Sequence, residues 1–251
     1  MTATFDLYPL RFRIRPRREA PVTANLLRGA FGSAVRGISE RDYQRFFAPK
    51  RVGGDGPSGL MDPPRPFVFR VCGPDEIGMN VFATREPANE AFLAAMNAIR
   101  AFKIESVTGT NVLRLPLSGA ACGVSRLRVC FLTPTELKGV DRPDFGTLLA
   151  RIRDRISTLR ELYGPGPLDL DFKAFGERAA RVRITRCDLI QIAAGRVSRA
   201  TGQSHSLGGF TGVAEYEGDL AEFLPYLEIA RWTGVGRQTV WGKGEIALET
   251  L

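Results

Sequence analysis

The run Gly234-Val235-Gly236-Arg237-Gln238-Thr239-Val240-Trp241-Gly242-Lys243-Gly244 holds two Gly-x-Gly pairs around a short polar turn carrying Arg237 and Lys243. It is not a P-loop, which needs Gly, four residues, then Gly-Lys-Ser/Thr. It is not a dinucleotide fingerprint either, since Thr239 stands where the third glycine belongs. A helix-like pattern precedes the run and an alternating run, Val240 to Leu248, follows it. It therefore leads from a helix into a last strand, whereas a dinucleotide turn follows a strand and opens a helix. Glycine permits φ > 0 and close approach of a ligand to the backbone. Exposed N–H groups of such a turn, with two cations beside them, suit an anion. The same pattern also suits a plain Gly-rich turn entering a strand.

Working outward, the remainder reads as β-α-β-β-α-β twice. In the first unit, Phe12 and Ile14 alternate with Arg11, Arg13 and Arg15 in a strand over Phe5 to Arg15. Thr23 is an N-cap candidate for a helix bearing Leu26, Leu27, Ala30, Phe31 and Ala34. Tyr43, Phe46 and Phe47 form an apolar cluster behind it, and residues 50–64 form a Gly/Pro-rich loop. Phe67 to Val71 and Gly78 to Ala83 read as a hairpin. Pro87 opens a helix with the stripe Phe92, Ala95, Met96, Ile99 and Phe102, and Val107 to Leu115 is a further strand.

In the second unit, Leu127, Val129 and Phe131 alternate with Arg126, Arg128 and Cys130. Phe145 to Tyr163 is a helix with an apolar face, Arg151, Arg153, Arg155 and Arg160 lying around the rest. Residues 164–176 read as irregular. Strands follow over Arg181 to Ile190 and Ser206 to Tyr216. Asp219 and Glu222 have capping-box spacing for a helix with Leu220, Phe223, Leu224 and Leu227, in which Pro225 is a mismatch that kinks or delays the start. Two such units predict an α+β protein of tandem ferredoxin-like (RRM-like) domains, residues 1–120 and 121–251, joined near Leu117 to Val124.

With 251 residues and 44% hydrophobic content, a full core is expected. Lys+Arg 35 against Asp+Glu 27 gives a net charge of +8, which favours a polyanionic partner. Cys72, Cys122, Cys130 and Cys187 make no C-x-x-C pair, and His205 is the only histidine, so neither a structural zinc site nor His-based metal catalysis is expected. The four cysteines read as buried reduced thiols. No apolar run reaches spanning length and no signal segment opens the chain, so a cytoplasmic protein without membrane contact is the expectation. The arginines on the first strand of each unit, Arg126 and Arg128 among them, suggest phosphate contact over base stacking, though each alone also suits a plain solvated face.

The run 234–244 resembles the glycine-rich signature of the RAMP superfamily, and is most similar to that of the CRISPR repeat-processing endoribonucleases. Gly208-Gly209-Phe210-Thr211-Gly212-Val213-Ala214-Glu215-Tyr216-Glu217-Gly218-Asp219-Leu220 looks like the segment before that loop. Leu27-Arg28-Gly29-Ala30-Phe31-Gly32-Ser33-Ala34-Val35-Arg36 resembles the family's first helix, and Asp62-Pro63-Pro64-Arg65-Pro66-Phe67 its entry into the second strand. The resemblance implies binding of CRISPR repeat RNA (and crRNA) and its cleavage without metal or other cofactor, leaving a 2′,3′-cyclic phosphate. Further CRISPR-associated proteins and a second copy of the chain are the other partners it suggests. The RNA contacts it implies are Gly234, Gly236, Arg237, Gln238, Gly242, Lys243 and Gly244.

Such cleavage needs a group to take the 2′-OH proton, groups to offset phosphorane charge, and a donor to the 5′-oxygen. Many family members carry a histidine in or near the first helix. Here there is none, and Ser33 occupies a corresponding place. His205, in a polar loop, is the acid/base candidate, though a lone histidine there also suits plain solvent exposure. Tyr43, Lys50 and Arg36 are candidates for orienting the nucleophile and steadying charge, Tyr43 being equally suited to packing beside Phe46 and Phe47. Two other readings stay open. One is a non-catalytic RAMP subunit holding crRNA in an interference complex. The other is a basic ferredoxin-fold protein with no RNA role.

Overall fold

The structure is a computed structural model, and it describes residues 3–17, 21–49, 63–82, 89–119, 123–193, 195–197, 204–206 and 208–251. The elements of the first half are β1 (Thr4–Pro16), α1 (Ala24–Ile38), α2 (Glu40–Asp42) with a π-helical turn (Tyr43–Phe47), β2 (Phe67–Val71), β3 (Glu76–Phe82), α3 (Asn89–Asn97), β4 (Phe102–Thr108) and β5 (Leu113–Pro116). Its sheet runs β2-β3-β1-β4, with β5 beside the start of β1. The second half has β6 (Arg126–Thr135), α4 (Phe145–Tyr163), α5 (Phe172–Ala179), β7 (Arg183–Ile192), β8 (Gly195–Val197), β9 (Ser204–Ser206), β10 (Gly209–Glu217), α6 (Leu224–Thr233) and β11 (Ile246–Thr250). Its sheet runs β11-β6-β10-β7. Every pairing is antiparallel. If the small strands are set aside, each half has the ferredoxin order 4-1-3-2 that the twice-repeated pattern predicts.

Local chemistry explains most element ends. Thr23 Oγ1 accepts from Leu26 N at 3.2 Å, the N-cap expected from the sequence. Phe31 of α1 meets Phe67, Phe69 and Phe92 edge-on at 5.2–5.5 Å, and each such pair adds roughly 0.5–1.5 kcal/mol beyond its area burial. Gly109 at φ 72° divides the strand expected over Val107 to Leu115 into β4 and β5, and a Cβ there would overlap the Pro9 carbonyl oxygen.

Several expectations are corrected. Phe102 does not close a helical stripe; it opens β4 opposite Pro16. Residues 164–176 are not wholly irregular, because Asp171 Oδ1 accepts from Lys173 N and Ala174 N at 3.0 Å and starts α5. Asp219 and Glu222 form no capping box: the chain makes a 3₁₀ turn at Ala221–Phe223, and α6 begins at Leu224 with Pro225 in its first turn. The proline needs no N–H there, which removes the mismatch. Glu222 is bonded to Arg178 instead, at 2.7 and 2.8 Å. Val240 is not in a strand; Thr239–Trp241 is a 3₁₀ turn and β11 starts at Ile246. The described cysteines are free thiols as expected, but Cys72 is exposed and Cys130 and Cys187 are half-buried. Cys72 sits in the β2–β3 turn, its N–H bonded to Glu76 O at 3.1 Å. Lys50, Pro87 and Cys122 lie outside the described residues.

The first sheet is covered on both faces. Phe67, Phe69, Ile77 and Met79 pack with α1 and α3, whereas Phe5, Leu7, Val68 and Phe82 belong to the core of the second half. Polar contacts fix the join: Asn80 Nδ2 donates to Trp232 O at 3.0 Å, Tyr163 Oη to Pro64 O at 2.9 Å, and Arg160 Nη1 to Thr4 O. The second sheet buries Leu127, Val129 and Phe131 against α4 and α6 and leaves its other face to solvent. Among the described residues, no helix is long and apolar enough to cross a membrane.

Candidate functional site

The loop 234–244 sits at the join. Gly234, Gly236, Gly242 and Gly244 have φ of 74°, 82°, 83° and 70°, and Gln238 takes the left-handed region at 60°. These angles fold the loop onto itself. Val235 N donates to Gly244 O at 2.8 Å and closes its neck, and Gly244 N donates to Pro134 O at 3.1 Å. Arg237 N donates to Glu136 O at 3.0 Å, Trp241 N to Gln238 O at 2.9 Å and Gly242 N to Thr239 O at 3.0 Å. The expected cradle of exposed N–H groups is thereby corrected: with Gly234 N, bonded to Ala230 O at 2.8 Å, six loop amides are spent inside the protein.

The cations divide. Lys243 is 3% exposed, with Nζ 2.8 Å from Glu136 Oε2 and 3.0 Å from Gln238 Oε1. The second bond helps hold Gln238 in its sparsely populated conformation. Arg237 meets the same carboxylate at 3.1 Å, but its side chain is 59% exposed. Of the two, Arg237 presents charge to solvent and Lys243 braces the loop.

The loop is inserted into the first half. Val240 joins the core of α1, α3 and the first sheet, and Gly242 lies so close to Ala24 that a Cβ would fall 2.6 Å from that methyl. Trp241 faces Arg28 of α1, whose guanidinium carbon is 5.3 Å from its ring centroid and 5.0 Å from that of Phe47. Arg65 stands 5.3 Å from the Phe47 centroid and donates Nε to Phe47 O at 2.6 Å. Phe47 stacks on Tyr43 at 5.1 Å, and Arg36 lies 4.1 Å over the Tyr43 ring. Arginine and aromatic groups thus alternate from the loop across α1 to the π-helical turn. Each cation–π contact is worth roughly 0.5–2 kcal/mol, and the assembly places guanidinium groups beside rings, that of Arg36 also paired with Glu40 at 3.1 Å. Ser33 and Arg36, three apart on α1, are both exposed.

Two of the sequence candidates, Arg36 and Tyr43, are therefore in direct contact. His205 is on β9, opposite Arg196 of β8. This hairpin extends β7 and β10 beyond the Gly209–Ile192 pair, at the end of the sheet where Phe210 faces Thr135, one residue before Glu136. His205 is therefore carried from the same end of the sheet that holds the loop; its side chain is outside the described residues. Arg126 and Arg128 are on the open face of the second sheet, apart from this assembly and ion-paired. Arg128 reaches Glu215 and Glu249 at 2.8 Å, and Arg126 reaches Glu215 and Glu217 at 3.9 and 4.0 Å. A phosphate there would compete with three carboxylates.

The sequence reading missed Arg28, Arg65, Trp241, Arg70, Arg155 and Glu136. Arg155 had a signal: it lies three residues after Ile152 and four before Leu159, on the apolar stripe of α4. Its Nε donates to Thr233 O at 3.1 Å and its Nη2 to Thr239 Oγ1 at 2.7 Å. Burial first, and the neighbouring Arg70 second, lower its guanidinium pKa to about 9. Arg70, 5% exposed, donates Nη1 to Phe69 O at 3.2 Å and stands 3.7 Å from Glu245. Its burial likewise lowers its pKa, against the pull of Glu245.

Known proteins bear on this arrangement. The family model of CRISPR-associated endoribonuclease Cas6 matches residues 129–246. A Cas6 product complex is 18% identical, with 98% of this chain and 100% of that chain covered and a TM-score of 0.60. Cas6 from Thermus thermophilus is 15% identical over 99% of this chain and 100% of that one, with a TM-score of 0.64. A partial Cas6-RT-Cas1–Cas2 complex matches at 14% identity and TM-score 0.58, over 98% of this chain and 46% of that chain. No curated protein sequence matches. Residues 129–246, with the glycine-rich loop at their end, thus resemble the Cas6 endoribonuclease family in sequence, and the whole chain carries the two-domain fold of solved Cas6 structures.

Proposed function

We propose that this protein is a CRISPR repeat-processing endoribonuclease that binds repeat RNA across the loop, α1 and the π-helical turn. The observation that carries the reading is the Cas6-family loop inserted against α1, where Trp241, Arg28, Phe47, Tyr43 and Arg36 form a continuous cationic and aromatic assembly. Arg237 supplies exposed charge at one end of it. Basic side chains neutralise phosphates and rings stack unpaired bases, the pair of features that single-stranded RNA selects.

In the reaction, the ribose 2′-oxygen bonds to the adjacent phosphorus and the phosphorus–5′-oxygen bond breaks, leaving a 2′,3′-cyclic phosphate. The 2′-OH proton passes to a base and the departing 5′-oxygen takes one from an acid. His205 is the residue whose ordinary pKa suits both transfers without a metal. Arg36 offsets charge on the phosphorane, and Tyr43, held under it, orients the nucleophile; Lys50 is the remaining candidate. Other CRISPR-associated proteins are the proposed assembly partners.

The lack of a histidine in Ala24–Ile38 favours a second reading, a RAMP subunit that holds crRNA without cutting it. Incubation of repeat RNA with the wild type in EDTA separates the two. Cutting at one position with cyclic-phosphate ends, abolished by a 2′-deoxy substitution at that nucleotide, supports the nuclease. Tight binding without cutting supports the subunit. Loss of cutting in His205→Ala with RNA binding retained places His205 in the chemistry, and persistence of cutting removes it.

A further inference from the structure

The loop sits over two arginines from opposite halves of the chain, Arg70 buried and Arg155 half-buried. Arg155 comes from α4 and forks between Thr233 O and Thr239 Oγ1, the first at the end of α6 and the second at the start of the loop's 3₁₀ turn. Arg70 comes from β2. Its Nη2 is buried without a hydrogen-bond partner among the described residues, and a Cβ on Gly234 would fall 3.2 Å from it. That same Cβ would fall 3.0 Å from Thr239 Cγ2 and 3.3 Å from Gly244 O, so both guanidinium groups converge on the loop's neck. Among the described residues, the like charges of Arg155 and Arg11 act on Arg70, and the carboxylate of Glu245 stands 3.7 Å from it.

Two cations drawn out of water with so little compensation are a poor way to gain stability, since desolvated charge is costly unless well paired. Planar, five-donor guanidinium groups are, however, a good way to fix geometry. Arg155 ties the helix before the loop to the turn inside it, and Arg70 fills the space under the neck from the other half. We infer that Arg155, supported by Arg70, is a positioning residue that sets the loop's working conformation and couples it to the packing of the two halves. The inference rests on the reading of the loop as an RNA-binding element. Neither arginine reaches the RNA; they act through Thr239, Val240 and Trp241, which face α1.

Trp232 and Trp241 are the chain's only tryptophans, so Trp232→Phe in the full chain leaves Trp241 as the sole reporter of loop geometry. Acrylamide quenching of Trp241 and single-turnover cleavage of repeat RNA are compared for this background and for Arg155→Met, Arg155→Lys and Thr239→Val within it. Arg155→Met is expected to raise the quenching constant and slow cleavage by about a hundredfold, the effect of a misplacement of about 1 Å. Arg155→Lys, which cannot bridge both oxygens, restores part of each. Thr239→Val moves both readouts in the same direction, and the double variant with Arg155→Met is no worse than Arg155→Met alone, because the two residues act through one bond. Should Arg155→Met fail to fold, Thr239→Val decides. Unchanged Trp241 quenching in a folded Arg155→Met, or in Thr239→Val, overturns the inference. If the wild type neither binds nor cuts RNA, the functional reading falls, while the quenching measurements still judge the clamp.

Discussion

Lys243 Nζ lies 2.8 Å from Glu136 Oε2, and the same carboxylate holds Arg237 at 3.1 Å through Oε1. One acidic side chain at the end of β6 therefore anchors both cations of the loop, and the two differ in exposure, 4% for the Lys243 side chain and 59% for that of Arg237. Their substitutions should separate. Arg237→Ala removes an exposed charge from an ion pair worth about 0–1 kcal/mol. Stability should hold, RNA affinity should fall, and the salt slope should flatten by about one phosphate contact. Lys243→Ala removes a buried brace and leaves Gln238 unsupported at positive φ, with an expected stability cost of about 3 kcal/mol, in the range for breaking a buried pair. Denaturant unfolding and RNA titration at several salt concentrations check both. A Lys243→Ala protein of unchanged stability would remove the brace.

The loop's neck makes a steric demand. Gly244 has φ 70°, and a Cβ there would overlap the Val235 carbonyl oxygen, whose own N–H is bonded back to Gly244 O. Gly244→Ala should therefore open the neck. The expected destabilisation is more than the roughly 1 kcal/mol of an unfavourable left-handed backbone alone, with RNA cleavage lost. Gly29→Ala is the control, because nothing lies within 4 Å of a Cβ there. It should gain up to about 1 kcal/mol of helix propensity.

Gly32 of α1 sets two terms against each other. Alanine gains about 1 kcal/mol of helix propensity. Its Cβ, however, would overlap the Phe47 ring, which is 5% exposed and packed between Tyr43 and Phe67. Overpacking of that kind costs about 1–3 kcal/mol, and stacking on Tyr43 and Phe67 holds the ring in place. Gly32→Ala should therefore lower the unfolding midpoint and also reduce cleavage, since Phe47 carries contacts to Arg28 and Arg65. An unfolding midpoint above wild type would show that the ring moves freely.

How far the sequence foretells this molecule depends on the range of the interaction. The period-2 and period-3.6 patterns place β1, α1, β2, β6 and α4 because burial of one face is written into neighbouring residues, as in Phe12 and Ile14 or Leu148 and Ile152. The 4-1-3-2 order follows from the repeated unit. Asp171 gives little sequence signal because a single cap opens only eight residues, and Gly109 gives little because its bend depends on the Pro9 carbonyl across the sheet. At the site, the glycines were legible but the direction of their N–H groups was not, since partners such as Pro134 O and Glu136 O lie about a hundred residues away. Arg155 reads as surface by type and as core by position. Only its long-range acceptors at Thr233 and Thr239 reconcile the two.

The open face of the second sheet gives a prediction about acid. Glu215, 7% exposed, accepts from Arg128 Nε and Nη2 at 3.0 and 2.8 Å, with Arg186 at 3.6 Å and Arg126 at 3.9 Å. The hydrogen bonds from Arg128, chiefly, hold its carboxyl below the usual carboxylate range. A depressed folded pKa means that the unfolded chain takes up its proton first as the pH falls. The stabilisation is therefore present above the ordinary carboxylate range, about pH 4, and is lost as the pH falls through the folded value. Glu215→Gln has nothing to titrate there. It should be less stable than wild type at neutral pH, and the gap should close as the pH drops below about 4, because wild type then loses what the variant never had. Thermal unfolding of both proteins across that range is the measurement, and a gap that stays constant with pH would show that Glu215 contributes by shape rather than by charge.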